Sequence, residues 1–242
     1  MNLRLVRAQT RAEVAMTLRR GDALLLAVVI PVLLLVFFSL VHVLPTGTAH
    51  PVDFLAPGVL SLAVMSTSMV SLSIATGFER SYGVLKRLGS TPLGRPALLA
   101  AKTVSVVVVE MIQAAVLVPV AFGLGWQPPA GAWPAGIAVG LLGTVGFAGI
   151  GMAMAGSLRA ETALAGANGL YLVLLLLGGM LIPLTKLPAG LRVVARALPS
   201  GGLSDGLAAS LGPGPVPTHD WIVLVAWAFG APLVAALTFR WE

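Results

Sequence analysis

Six long apolar runs separated by short polar stretches set the plan of this chain: residues 23–44, 54–77, 98–124, 132–157, 166–184 and 220–240. Each is close to or above the roughly 20 residues with which a helix crosses a bilayer. The fifth is nearly pure, reading YLVLLLLGGMLI. The pattern predicts an all-α integral membrane fold with six transmembrane helices and a single domain over 1–242. The run 23–44 is not the pattern of a cleaved signal peptide, because 22 polar-rich residues precede it and no small-residue cleavage pattern follows.

Two segments outside these runs have helical amphipathic spacing. In residues 2–20, Leu3, Val6, Thr10, Val14 and Leu18 recur at three or four, with Arg4, Arg7 and Arg11 beside them. This predicts an interfacial helix at the membrane surface. Within 185–218, Leu191, Val194, Ala195 and Leu198 share one helical face and Arg192 and Arg196 another, between Pro188 and Pro199. The expectation there is a short outer amphipathic helix between spans five and six.

Composition agrees with a membrane protein: 57% of residues are hydrophobic and 10% charged, with a mean hydropathy of +0.97. Cysteine is absent, which removes disulfides, thiolate catalysis and Cys-ligated metals. The net charge of +6 would suggest nucleic acid in a soluble protein. In a membrane protein it points instead to cytoplasmic loops and anionic lipid. Twelve of the fifteen basic residues fall on one face of the six-span map: Arg4, Arg7, Arg11, Arg19, Arg20, Arg80, Lys86, Arg87, Arg95, Lys102, Arg159 and Arg240. The positive-inside rule makes that face cytoplasmic, with both termini on it. Trp126, Trp133 and Trp221 fall at the outer ends of spans, and Trp241 at an inner end, as interfacial aromatics.

Catalytic patterns are missing. The stretch GSTPLGRP, residues 89–96, has the G-x-x-x-x-G spacing of a phosphate-binding loop, but Arg95 and Pro96 follow where Lys and Ser or Thr are needed. Proline brings neither hydroxyl nor backbone N–H. Neither H-E-x-x-H nor G-x-S-x-G occurs. His42, His50 and His219 have no carboxylate or histidine at ligand spacing, and Asp53 and Asp220 read as solvated outer loop residues. An enzyme would have to assemble from residues scattered along the chain.

Polar residues within the apolar runs admit more than one reading. Glu110 lies about 12 Å along the helix from Lys102 at ~1.5 Å per residue, deep enough that an ionised carboxylate is costly. It is either a proton or cation site, or a neutral or paired structural group. Gln113, one turn on, is placed to share its hydrogen bonds. Ser61 with Ser68, and Ser66 with Ser73, recur at seven-residue intervals for helix packing or pathway lining. Gly136, Gly140, Gly143 and Ala153 give span four a small-residue face suited to close packing.

The stretch between spans two and three, 78–97, is too long and patterned for a simple turn. Glu79 and Arg80 precede Gly83, then Leu85, Lys86, Arg87 and Leu88, then Ser90, Thr91, Pro92 and Leu93. Ser or Thr ahead of Pro92 starts a helical turn, and Leu85, Leu88 and Leu93 supply apolar anchors. The alternative is a basic loop that only fixes topology.

With these residues in place, the chain resembles the permease subunits of ABC-2 type transporters, especially drug exporters of actinobacteria similar to the daunorubicin-resistance permease. The likeness rests on Phe78-Glu79-Arg80, Gly83-x-Leu85-Lys86-Arg87-Leu88, Ser90-Thr91-Pro92-Leu93, and Arg95 with Lys102. A second motif is Leu177-Gly178-Gly179-Met180-Leu181-Ile182-Pro183-Leu184 with Leu187-Pro188. The chain departs from the family at Leu198 before Pro199 and at Gly201-Gly202 after it, so the outer segment is expected to pack differently.

The resemblance implies an ABC exporter of the bacterial cell membrane. A coupling helix containing Glu79, Arg80, Gly83, Leu85, Lys86, Arg87, Leu88, Pro92 and Leu93 would dock in a separate ABC ATPase subunit. That ATPase would bind ATP and Mg, and this chain would bind no cofactor and no metal. A second permease chain would pair with this one in a homo- or heterodimer. Spans two and five would border the interface, making Ser66, Ser73, Asn168, Tyr171, Glu110 and Gln113 candidates for the path of a small hydrophobic or amphipathic substrate. The main alternative is a secondary ion-coupled transporter using Glu110, followed by an intramembrane enzyme.

Overall fold

The computed structural model of the chain describes residues 3–19, 21–41, 50–89 and 94–239, which contain helices and no strand. Surface helix α1 spans Leu3–Arg19 and α2 spans Gly21–Val41. A continuous helical rod follows as α3 (Pro51–Met65), a π-helical turn (Ser66–Ser71) and α4 (Leu72–Ser81). The short α5 (Val84–Gly89) caps it, and α6 (Arg95–Gly123) and α7 (Trp133–Ser157) come next. The remainder is α8 (Ala160–Leu177), α9 (Ala189–Ala197), α10 (Pro199–Ser210) and α11 (Thr218–Thr238). Six of these stretches are long and apolar enough to cross a membrane: α2, the α3–α4 rod, α6, α7, α8 and α11. Pro92, Leu93, His42 and Trp241 lie outside the described residues, as does the end of the first expected span.

Four spans match their expected bounds within a few residues, but the fifth is displaced. In place of 166–184 it runs from Ala160 to Leu177. Its first turn carries Glu161, whose charge suits a helix N-terminus. It stops at Gly178 and Gly179, the latter in the left-handed region at φ +75°, where a side chain would be strained. The apolar residues after that pair form a loop, and Met180 is fully buried in the main core.

The short helix expected between spans five and six exists as α9, but it is half of what the segment builds. After Leu198 the chain re-enters the protein as α10, whose sequence PSGGLSDGLAAS is buried along most of its length against α3, α7 and α11. Small side chains let it fit there. Leu203 and Leu211 seat against the bare backbones of Gly143 and Gly136 in α7. The departures at Leu198, Gly201 and Gly202 fall at this re-entry.

The carboxylates expected in outer loops are helical. Asp53 is exposed in the first turn of α3, whereas Asp220 is only 5% exposed in the first turn of α11. Trp126, too, is buried, stacked on Phe122 at 5.7 Å and edge-on to Trp133 at 6.0 Å. It clasps α6 to α7 as a core aromatic, in place of the interfacial role expected for it.

The most extensive helix–helix seam among the described residues joins α7 and α11. A Cβ on Gly149 would lie 2.4 Å from the Pro232 nitrogen, and one on Gly151 2.7 Å from the Met69 carbonyl oxygen. Only a residue without a side chain permits either approach, as small residues do throughout membrane helix packing. Gly151 thereby sets α7 against the π-helical turn of the second span.

Candidate functional site

At the end of the bundle that carries α1 and α5, here the basic end, α4 finishes in Phe78-Glu79-Arg80 and turns. Gly83 makes the reversal at φ +72°. The six-residue α5 follows, with Leu85 at 0% exposure in a second apolar cluster that includes Leu98, Met152 and Phe239. Burying a leucine from water stabilises by about 1.5–3 kcal/mol, enough to hold so short a helix in place. Leu88 packs at the edge of that cluster. Lys86, Arg87, Val84 and Tyr82 are exposed at the tip, and Tyr82 stacks on Phe78 at 6.1 Å.

Beneath this knob lies a buried cluster of one cation and two carboxylates. The Lys102 ammonium, 1% exposed, is 3.0 Å from Glu13 Oε2 and 2.6 Å from Glu79 Oε2. Three elements meet at one cation: α1 through Glu13, α4 through Glu79 and α6 through Lys102. Gln9 donates to the other Glu13 oxygen at 2.8 Å, and Arg80 donates to the Ala155 carbonyl at 2.9 Å, reaching α7. Breaking a buried pair by removing one partner typically costs about 3–5 kcal/mol, so these elements are held as one body.

Several sequence expectations change here. Lys102, counted among the topology-setting basic residues, is a core cation. Glu79 and Arg80, candidates for the coupling contact, are half-buried and bonded within the chain, while Lys86 and Arg87 are exposed. The face that α1 lays on α6 includes Val6 and Glu13, and Leu18, expected on the apolar face, is 43% exposed. Glu13 escaped sequence reasoning; its signal was that it is the one acid in a basic N-terminal segment, as Lys102 is the one cation in a long apolar run.

A cavity of about 290 Å³ opens beside this cluster between α1, α2, α4 and α6. Thr67, Ser71 and Ser105 line it, and the expected Ser66 and Ser73 do not. Ser66 is half-buried, and the Ser73 hydroxyl is buried without a partner. Ser61 and Ser68 donate to carbonyls one turn back in their own helix, as packing residues do.

Glu110 and Gln113 do not share bonds. Gln113, 1% exposed, accepts from Thr67 at 3.2 Å and donates to the Ala27 carbonyl at 2.8 Å, fastening three spans together. Glu110 instead meets Thr144 of α7, Oε2 to Oγ1 at 2.6 Å. Asn168 lies on the exposed side of α8 and returns its amide to the Leu164 carbonyl, while Tyr171 packs half-buried on the main core. Of the six pathway candidates, Glu110 and Gln113 line one cavity in common, and the other four do not line it.

The described residues form a polytopic helical bundle with an ion-locked knob at one end. Residues 4–210 match the ABC-2 type transporter family, and the chain belongs to it. It is thus a membrane permease component of the ABC transporter type, and α11 lies beyond the matched region. No curated protein matches the chain.

Proposed function

We propose that the chain is the membrane half of an ATP-driven exporter of the bacterial cell membrane, similar to the drug-exporting permeases of actinobacteria. The basic end and both termini face the cytoplasm, where α5 docks in a separate ATPase that binds ATP and Mg. Two permease chains pair with two ATPases. ATP-driven closure pushes the knobs, and the bundle alternates between inward-open and outward-open states around a hydrophobic or amphipathic cargo.

The observation that carries this reading is the Lys102 bridge between Glu13 and Glu79. A push on a floppy loop is lost, whereas a push on α5 is delivered to α1, α4 and α6 together. The test is co-expression with candidate ABC ATPase subunits from the same genome. Charge reversal at the tip, Lys86→Glu with Arg87→Glu, is expected to reduce ATPase retention on purification at least tenfold while the permease still reaches the membrane. A permease that retains no ATPase, or keeps it undiminished after reversal, contradicts the proposal.

Ion coupling through Glu110 is the second reading, favoured by the unpartnered Oε1 of that residue. It requires that dissipating the proton gradient with ATP intact abolish transport.

A further inference from the structure

A second cavity, of about 190 Å³, lies between α3, α6 and α7 with α10 behind it, in the half of the bundle away from the knob. Its walls are apolar, among them Leu60, Val118, Trp133 and Leu207, and Glu110 is the one ionisable side chain among its lining residues. Met111, Ile137 and Leu141 stand at its rim, 57%, 58% and 45% exposed, so it opens sideways between α6 and α7 toward lipid. An added Cβ on Gly140, which lines it, would meet nothing within 4 Å. The volume is about six times the ~30 Å³ that a water takes in the liquid, room for the polar end and first carbons of an elongated ligand.

The chemistry of the floor is incomplete. The Thr144 hydroxyl has one proton and two acceptors near it, Glu110 Oε2 at 2.6 Å and the Gly140 carbonyl at 2.9 Å. Among the described residues Glu110 makes no ion pair, and its Oε1 is buried with no partner. A buried acceptor left unmade costs about 1–3 kcal/mol, and more where lipid replaces water. Oε1 accepts a hydrogen bond whether or not the carboxyl carries a proton.

We propose that this cavity binds an apolar molecule whose end carries a hydrogen-bond donor, an ammonium or a hydroxyl, that pairs with Glu110 Oε1 once the carboxyl turns into the cavity, while its tail leaves between α6 and α7. Calling such a ligand cargo rests on the exporter reading; binding does not, and it is measured on the full chain without ATP or ATPase.

The probes are dansyl-tagged decyl chains ending in an amine, a hydroxyl or a methyl group. Dansyl fluorescence is titrated with the chain in lipid nanodiscs, and empty nanodiscs are subtracted. Saturable binding of the amine and hydroxyl probes is expected, with the methyl probe at least tenfold weaker. Glu110→Leu should remove that preference, and Gly140→Leu, which fills the cavity, should weaken every probe at least tenfold. Glu110→Gln keeps an acceptor but no charge, so it should retain the hydroxyl probe and lose the amine probe if the ammonium is the better ligand.

Equal binding of all three probes would mean a groove for lipid tails only, and would overturn the proposal. So would the absence of saturable binding, as when a neighbouring chain covers the cavity. The wild-type probe series decides even if a variant fails to fold. A permease that retains no ATPase yet discriminates the probes would leave this site standing and the exporter reading fallen.

Discussion

Two seams hold this bundle by different physics. At the basic end, α1, α4 and α6 meet around one buried cation shared by two carboxylates. Along α7 and α11, backbones touch because Gly146 and Gly149 have no side chains to keep them apart. Lipid offers no hydrophobic drive for helices to associate, so packing and polar bonds carry the load in both. The glycine seam has one close-packed arrangement and tolerates no slack. The charged seam is directional and can be broken or remade by moving one end, which suits the coupling role proposed for the knob.

The sharpest way to break that contrast is Gly149→Leu. A side chain there would enter the Pro232 and Ala231 backbone, which cannot yield, so a loss above about 4 kcal/mol is expected. Little monodisperse protein should then survive size-exclusion in detergent. Recovery near wild-type yield would mean that α11 is free to move.

Next in size is Lys102→Met, which leaves two buried carboxylates without their cation and should cost about 3–5 kcal/mol in thermal unfolding. The triple replacement Glu13→Leu, Lys102→Met, Glu79→Leu sharpens the point. An apolar set of similar volume should restore most of the stability, since burying the charges carries its own desolvation cost. On the exporter reading proposed above, both variants should lose export. Restored export would reduce the cluster to simple packing.

Asp205 gives the smallest effect. It sits half-buried on the small-residue helix α10; burial, then the charge of Asp220, push its carboxyl from 3.8 up to about 6, while Arg196 pulls the other way. The folded chain thus holds a proton that the unfolded chain has released between those values. Stability should fall as pH rises from about 4 to 6 and level off above. Asp205→Asn should flatten that slope and gain about 1–2 kcal/mol at pH 7. An unchanged slope in denaturation between pH 4 and 7 would show that other groups set it.

The bundle was largely legible because an apolar run of bilayer length constrains the backbone to one answer. It misled where apolarity and helix part company, at Gly178 and Gly179. Helix α10 was hidden for the opposite reason: Gly, Ser and Ala make it neither greasy nor amphipathic, and its burial depends on the glycines of α7, far away in the sequence. The knob was readable from Glu79 through Leu88, but the sense of Glu79 was not, since its partner is Lys102 and their shared neighbour is Glu13. Gln113 likewise looked like a companion of Glu110 by spacing, and turned out to join Thr67 and Ala27, contacts that no local pattern encodes.

The six-residue π turn at Ser66–Ser71 has a further consequence for Glu79. A wide turn takes up more residues per revolution than an α-helix, so the azimuth of everything beyond it depends on where that surplus is kept. Rewinding one residue's worth into regular helix would swing the lower half of the rod by about 100° and lengthen it by ~1.5 Å. The carboxylate would then be carried past the Lys102 ammonium. The phase of the second span, set in mid-membrane, decides whether the lock below it can close.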